Sequence, residues 1–446
     1  MTNLRTGWLM LVGVAVVVAL AASGCSDEGP GSERRPQDEG PGIDTAPRSQ
    51  RVDLDQPSFS DPTAVTNPLF PSSKLAQVVQ LGDEGGEELR VEITPLPRTK
   101  TIEWQGQRVE TLLSHFIAFL DGRIVETAVD FFAQADDGAV WYLGEDVFNY
   151  EDGVVADNEG TWLAGRDGPG GMIMPAEPEA GDVFRPENIP GLVFEEVTIK
   201  SIGRTLDGPR GPVEGAVATQ EHLMDDTFEG KFFAPGYGEF QVRAEDEFAA
   251  VAVASPIDAV PGAAPAELEA LTVSAADAFQ AGQAEDWPRA ADAQVELKSA
   301  WDAYRQQKVP PLLAEHLVES LAALDRGVSN RESSETAQAA IEVAHSGADL
   351  ILRHQFAAEV DLTRLDVWAR QLLLDAATGT PGDVRGDVAT LEAIWVRAGY
   401  SVSKPAAGDI EERLAALRVA ADAGRLSEAV EAADTFRQAL ATAIRL

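Results

Sequence analysis

The sequence predicts an α+β protein with two folded domains: an antiparallel β-meander, as a curved sheet or a barrel-like structure, followed by an all-α bundle of helical hairpins. Two patterns support this. Between residues 62 and 256, short apolar and β-branched segments alternate with turn residues, as in a meander. From residue 264 to residue 446, Ala and Leu recur at spacings of three and four residues, which is typical of amphipathic helices.

The first 24 residues have the layout of a signal peptide. Arg5 precedes an uninterrupted apolar segment from Trp8 to Ala22 that small residues close. Cys25, the only cysteine in the chain, follows directly. A cysteine at this place resembles the bacterial lipoprotein signal, in which cleavage precedes the cysteine and lipid is attached to its sulfur. We therefore predict a signal peptide over residues 1–24 and acyl chains such as palmitate on Cys25.

Residues 25–61 are expected to form a disordered tether. They are rich in Gly, Pro and charged residues and contain few apolar ones, so they cannot bury enough surface to offset the entropy of ordering. The apolar segment from Trp8 to Ala22 is shorter than the ~20 residues of a membrane span. The sequence thus predicts a protein on the extracytoplasmic side of the cell membrane, anchored to the bilayer through lipid on Cys25.

Three Asp-Gly pairs punctuate the predicted β domain. Such pairs favour tight hairpin turns because they accept positive φ, and they recur here about every 15 residues, at Asp121-Gly122, Asp137-Gly138 and Asp152-Gly153. Further strands are expected over Leu89–Ile93, Thr101–Trp104, Val193–Ile199, Val217–His222, Lys231–Ala234 and Phe240–Arg243. The Gly- and Pro-rich segment from Trp162 to Pro190 is expected to be a loop.

Five short motifs in the β domain occur together in one family. They are NPLFP (67–71), VWYLGED (140–146), WLAG (162–165), GMIMP (171–175) and FAPGYG (233–238). Over residues 65–245, the chain resembles an uncharacterised family of exported bacterial proteins and lipoproteins. The resemblance implies a β-rich exported domain, and it transfers no catalytic residue.

The helical domain is expected to contain about eight helices, paired into four hairpins. Four glycines, spaced about 50 residues apart, each follow one helical segment and precede another: Gly282, Gly327, Gly379 and Gly424. Glycine readily adopts the left-handed conformation that ends many helices. We therefore expect each of these glycines to cap the first helix of a hairpin.

The composition excludes several classes of function. The net charge is −39, from 74 acidic and 35 basic residues, which argues against nucleic-acid binding because that depends on Lys and Arg to neutralise phosphates. The same charge disfavours docking of the protein surface on anionic lipid. Sequence motifs of serine hydrolases, metalloproteases and phosphate-binding loops are missing, so we expect no enzyme and no cofactor. Glu145 and Asp146 are expected to be exposed acids in a turn.

Two groups of residues are candidates for a ligand site. Aromatic residues of the β domain either line a concave sheet that holds a hydrophobic ligand or form an ordinary core: Trp104, Trp141, Tyr142, Trp162 and Phe233. Glu342 and His345 form a Glu-x-x-His motif on a predicted helix, as in di-iron bundles. Only one copy of the motif occurs, so packing at a helix interface is the simpler interpretation of this histidine, and we expect no metal.

We expect a membrane-anchored envelope lipoprotein with a non-enzymatic binding or scaffolding role. Besides the bilayer, the expected partner is a hydrophobic small molecule or an envelope protein. Two alternatives stay open: a carrier of a hydrophobic ligand in the β domain, and a helical bundle that handles metal. The sequence does not predict an oligomeric state.

Overall fold

A computed structural model describes residues 42–444, and in it a large antiparallel sheet precedes eight helices, which confirms the predicted α+β architecture. The strands are β1 Gln77–Glu84, β2 Glu87–Trp104, β3 Gln107–Leu120, β4 Arg123–Gln134, β5 Val140–Glu151, β6 Val154–Asp157, β7 Trp162–Leu163, β8 Gly171–Met174, β9 Val183–Ile189, β10 Val193–Gly208, β11 Gly211–Leu223, β12 Phe228–Ala234, β13 Gly238–Arg243 and β14 Glu247–Ser255. The helices are α1 Ala266–Gln283, α2 Trp287–Tyr304, α3 Pro311–Asn330, α4 Ser333–Ile351, α5 Ala357–Thr378, α6 Pro381–Ala398, α7 Lys404–Asp422 and α8 Leu426–Ile444.

The 14 strands form one curved sheet that does not close within residues 42–444. Its hydrogen-bonded order is β6-β5-β4-β3-β2-β1-β14-β13-β12-β11-β10-β9, while β7 and β8 each pair with β5. The strands expected beside the Asp-Gly turns and at the six further positions are confirmed. Strands β1 and β14 were not among the predicted ones, although their pairing joins the two halves of the meander.

The predicted Asp-Gly turns are confirmed between β3 and β4, between β4 and β5, and between β5 and β6. In the first turn, Asp121 and Gly122 have φ values of 44° and 71°. In the last, Asp152 and Gly153 have φ values of 50° and 71°. Two successive residues with positive φ match the right-handed twist of paired strands, which is why the sequence signal was reliable.

The prediction of a loop over residues 162–190 was wrong, because this segment contains β7, β8 and β9. Its glycines serve close packing as well as turns. A Cβ atom at Gly171 would lie 1.9 Å from the carbonyl oxygen of Pro186, so only glycine lets these two backbones come so close. The sequence alone does not distinguish a glycine that is required by close packing of two backbones from a glycine in a turn.

Residues 42–61, which we expected to belong to the disordered tether, lie against the β domain instead. The backbone N–H of Val52 donates to the carbonyl oxygen of Val183 at 2.9 Å. The carboxylate of Asp53 accepts from the backbone N–H of Arg185 at 3.0 Å. Polar residues of this segment thus find partners on the sheet, which composition alone does not reveal. The rest of the predicted tether, the signal peptide and Cys25 lie outside the described residues.

The eight helices pack as four consecutive hairpins, as predicted. A proline stands in the first turn of four of them, α2, α3, α6 and α7, where its missing N–H costs no hydrogen bond. Gly379 and Gly424 have positive φ directly after α5 and shortly after α7, as expected for caps.

Gly282 and Gly327 were wrongly predicted to be caps, since they lie inside α1 and α3. A Cβ atom at Gly282 or Gly327 would lie 2.9 or 2.8 Å from an atom of Thr336 in α4. Both positions need glycine because α4 packs closely on α1 and α3.

The helices cover one face of the sheet. Leu81 of β1 packs in the same core as α1, α3 and α4, whereas Phe119 of β3 packs with α5 and α6. The opposite face encloses a separate apolar interior, to which β3 contributes Phe116 and Ala118 and β5 contributes Val147. Because successive residues of a strand point to opposite faces, β3 supplies both cores.

A buried network of three arginines and three carboxylates joins the sheet to the helices. Its members are Arg90 and Glu92 on β2, Asp349 on α4, Asp361 and Arg364 on α5, and Arg397 on α6. Arg90 donates two hydrogen bonds to Asp349, at 2.7 and 2.8 Å, and Arg364 donates a third at 2.7 Å. Asp361 accepts from Arg364 at 2.8 Å and from Arg397 at 2.8 and 3.0 Å. Arg397 also donates to Glu92.

The network is balanced in charge and fully enclosed at its centre. Arg364 and Arg397 are both 0% exposed. Burial disfavours the ionised form of Glu92, yet the charges of Arg397 and Arg364 hold its pKa well below the ordinary value. Burial likewise opposes ionisation of Asp349, but Arg90 keeps the pKa of this carboxyl low. These two carboxylates therefore remain charged inside the protein.

Arg397→Met should lower the free energy of unfolding by about 3–5 kcal/mol, because Glu92 and Asp361 would lose a cation where water cannot replace it. Chemical denaturation measures the change. Arg413→Met on α7 is the control, since Arg413 contacts Asp409 at the surface and should contribute less than about 1 kcal/mol. Equal, small losses in the two variants would contradict the role given to the network.

Candidate functional site

A cleft of about 560 Å³ lies between the sheet and the helical bundle. Residues of β1 to β4 form one wall, and residues of α3, α4 and α5 form the other. Small-molecule sites in proteins usually have volumes of about 300–1,000 Å³ and often lie between domains. The cleft therefore has the size and the position of a ligand site.

An aromatic surface lines part of the cleft, although its two rings are mostly buried, with Phe119 1% and Trp368 7% exposed. The rings of Phe119 on β3 and Trp368 on α5 stack with centroids 5.4 Å apart and an interplanar angle of 17°. The imidazole of His345 on α4 lies 5.2 Å from the Trp368 ring and makes no hydrogen bond to other residues in the range 42–444. Burial lowers the pKa of His345 to about 4, so the imidazole is neutral at pH 7. Its nitrogens are free to contact a ligand.

Two ion pairs border the same cleft. Nδ1 of His316 on α3 lies 3.2 Å from Oε1 of Glu88 on β2. This hydrogen bond lowers the pKa of Glu88 and raises the pKa of His316, so the contact favours the charged form of both side chains. Arg90 and Asp349 form the second pair, which also belongs to the buried network. The cleft thus combines an aromatic surface with charged groups of both signs.

The structure places both metal candidates, Glu342 and His345, on the α4 wall of the cleft. Burial raises the pKa of Glu342 and lowers that of His345, so both shifts favour the neutral forms. Within residues 42–444, no group of three or more His, Cys, Asp or Glu side chains is arranged to hold a metal ion. The Glu-x-x-His motif therefore lies in the cleft without a third metal ligand from the described residues.

The five aromatic candidates of the β domain come together in one core, where each is at most 5% exposed. The rings of Trp104 and Trp141 lie 5.4 Å apart, and Tyr142 meets Trp162 edge-on at 5.3 Å. Trp104 and Trp141 also border a pocket of about 190 Å³. Phe233 packs in the same core. These rings mainly fill space around one another.

Sequence analysis missed a group of carboxyl side chains inside the curved sheet. Glu145 lies within β5 and is 2% exposed, so its prediction as an exposed turn residue was wrong. Asp130 on β4 stands directly opposite Glu145. The other members are Glu126, Glu187, Glu195, Glu221 and Glu239. Glu126, Ala128 and Asp130 occupy every second position of β4 and therefore share one face of a largely apolar strand. This pattern could have indicated that the two acids face the interior.

Burial favours the protonated form of several of these acids. It raises the pKa of Glu126 to about 8, that of Glu187 to about 8 and that of Asp130 to about 7. Lys231 contributes a cation, with its ammonium nitrogen 2.7 Å from Glu221 and 3.7 Å from Glu239. The acids named in this group outnumber Lys231. Most of them therefore have no cation of this group to pair with, and burial favours their neutral, protonated form.

No helix in the described part of the chain is long and apolar enough to cross a membrane. No protein-family model matches the chain, and no curated protein matches it. The resemblance of residues 65–245 to exported bacterial proteins and lipoproteins therefore stays a prediction, and the function has to be inferred from the site itself.

Between about pH 6.5 and pH 8, the free energy of unfolding should fall as the pH rises. Folding raises the pKa of Glu126 from 4.5 to about 8, so the folded protein keeps a proton that the unfolded chain has already released. Glu126→Gln stays neutral and should reduce this slope by about 1.4 kcal/mol per pH unit. Chemical denaturation at several pH values measures the slope, with the exposed Glu151→Gln as the control. Identical slopes in the two variants would refute the assignment.

Proposed function

We propose that this protein is a non-enzymatic binding protein of the cell envelope, which takes a small ligand in the cleft between its sheet and its helices. The observation that carries the proposal is the cleft of about 560 Å³, in which the Phe119 ring of the sheet wall stacks on the Trp368 ring of the helix wall. The neutral His345 and the Glu88–His316 pair add polar contacts beside this surface. Such walls suit a small ligand that has both apolar and polar groups.

The position of the cleft supports binding by both domains together. One wall belongs to the sheet and the other to the helices, and Arg90 and Asp349 connect the two walls at their base. A ligand in the cleft would contact both domains, so its binding would add to the contacts that hold them together. The proposal of binding without catalysis rests on the missing catalytic motifs in the sequence.

We infer the place of the protein from Cys25 and the residues before it. Acyl chains on this cysteine would anchor the body on the extracytoplasmic side of the membrane, and two chains hold firmly where one does not. The 17 residues from Cys25 to residue 41 would reach at most about 60 Å. A net charge of −39 repels the body from anionic lipid, so the lipid has to supply the attachment.

The two alternative functions have less support. For a carrier of a hydrophobic ligand, the β-domain aromatic rings pack on one another, and the pocket beside Trp104 and Trp141 has about 190 Å³, below the usual range for ligand sites. For metal handling, Glu342 and His345 would need a third ligand, which residues 42–444 do not place beside them.

Ala323→Trp should abolish binding in the cleft. Ala323 of α3 lines the cleft, so an indole there would occupy the space of the ligand. Native mass spectrometry of the lipoprotein, gently extracted from membranes, should show a bound small molecule on the wild type and none on Ala323→Trp. Ala322→Trp is the control, because Ala322 is exposed on the same helix and its variant should keep the bound mass. Wild-type protein without any bound molecule, or Ala323→Trp with it, would contradict the proposal.

Cys25→Ser should remove the lipid. When the exporting cells grow with an alkyne-tagged palmitate, the wild-type chain should take up the tag, whereas the serine variant should not, because a hydroxyl does not replace the thiol in this modification. Ser26→Ala, one position further, should label like the wild type. A tag that persists on Cys25→Ser would place the lipid elsewhere or show that the signal was misinterpreted.

A further inference from the structure

Another pocket, of about 90 Å³, opens into the interior of the curved sheet, on the face away from the helices. Three polar residues stand in a row at its inner end, since Ser114 of β3 pairs with Asp130 and Asp130 pairs with Glu145 of β5. Glu239 of β13 also borders the pocket. The remaining walls are mainly apolar and include Phe70, Leu75, Phe116, Phe132, Ile173 and Tyr237.

Among the described residues, no cation forms an ion pair with either of these two carboxyl groups. Directly opposed residues on antiparallel strands have Cβ atoms about 4.5–5.5 Å apart, and like charges in such a pair repel each other. The Tyr142 hydroxyl donates to Asp130 at 3.0 Å. No N–H or O–H donor among residues 42–444 reaches Oε1 of Glu145, although this residue is only 2% exposed, and only a shared proton can link its carboxyl group to that of Glu187. The nearby cation, Lys231, is held 2.7 Å from Glu221 instead.

We propose that this pocket binds a primary ammonium group carried on a short apolar chain, with Glu145 and Asp130 as its acceptors. An ammonium has three N–H donors and one positive charge, so it can donate to the unpartnered oxygen of Glu145 and stabilise the ionised form of a carboxyl group that burial otherwise disfavours. The apolar walls suit the attached chain. A water molecule needs about 10–15 Å³ of such space, so 90 Å³ admits the ammonium and several carbons.

A metal ion is a less suitable occupant. Hard cations such as Ca²⁺ and Mg²⁺ need six or more oxygen ligands, and the described residues contain no metal-binding cluster. An ammonium is satisfied by two or three acceptors and tolerates the aromatic and aliphatic walls. A neutral alcohol of the same length would fill the apolar part without compensating the charge of an ionised carboxylate.

Binding should be linked to proton release. Burial raises the pKa of Glu145 well above its ordinary value and that of Asp130 to about 7, so the empty pocket holds protons that an ammonium has to displace. The other titratable groups that face Glu145 are Glu126 on β4, Tyr142 on β5 and Glu187 on β9. Glu239 on β13 faces Asp130, and Lys231 on β12 acts on Glu187. Acids predominate among them, so the site becomes more negative as the pH rises, while an alkylammonium keeps its charge to about pH 9.

Isothermal titration calorimetry of the full chain with n-butylammonium and with 1-butanol tests the proposal. At about pH 8, the ammonium should bind at least about tenfold more tightly than the alcohol. Its affinity should rise by about tenfold from pH 6.5 to pH 8, with a proton released on binding. Glu145→Gln should weaken ammonium binding by at least about tenfold. Asp146→Asn is the matched control, since Asp146 is the next residue of β5 and points to the other face.

Equal affinities for the two probes, no binding of butylammonium, or undiminished binding to Glu145→Gln would overturn the proposal. Thermal unfolding checks that Glu145→Gln is folded. If Glu145→Gln does not fold, Asp130→Asn takes its place, because Asp130 is only partly buried and its substitution should disturb the fold less. We expect the same loss of ammonium binding in this variant. The pocket and the interdomain cleft lie on opposite faces of the sheet, so a negative result here leaves the proposed function of the cleft standing.

Discussion

Ionic contacts between distant parts of the chain hold the helices against the sheet. Arg90 and Asp349 are 259 positions apart, and Glu92 and Arg397 are 305 apart. Each arginine can be kept in the core only while its carboxylates are present, so the sheet and the helices depend on each other. Paired hydrogen bonds from a guanidinium fix direction as well as distance. The network therefore sets how α4, α5 and α6 lie on β2, and the shape of the cleft follows from that.

Alternation along the strands gives the sheet two chemically different faces. On β2, Arg90 and Glu92 point towards the helices, whereas Val91 points into the apolar interior. The helix face carries charges that are paired with one another and opens into a cleft of ligand size. The interior face carries carboxyl groups that outnumber their cation, and burial favours the protonated form of several of them. We therefore propose different sites on the two faces, one for a small ligand with polar and apolar groups and one for a cation with an apolar chain.

The sequence predicted the local structure well and the long-range contacts poorly. Asp-Gly turns and three- to four-residue periodicity are local signals, so the hairpins and the eight helices could be identified. Arg364 and Arg397 look like ordinary helix surface residues, because their partners on β2 and on neighbouring helices are remote in sequence. Glu145 was misplaced for the same reason, since the strands that bury it could not be aligned beforehand. Gly327 likewise had a packing role that depends on α4.

A double-mutant cycle on Arg90 and Asp349 tests the mutual dependence of sheet and helices most directly. The free energies of unfolding of the wild type, Arg90→Met, Asp349→Asn and the double variant are measured by chemical denaturation. We expect a coupling energy of at least about 1.5 kcal/mol, because Arg90→Met removes two of the three hydrogen bonds to Asp349, so that loss of the Asp349 charge costs less in this variant than in the wild type. Effects that add to within about 0.5 kcal/mol would show that the two residues act independently and would contradict this account.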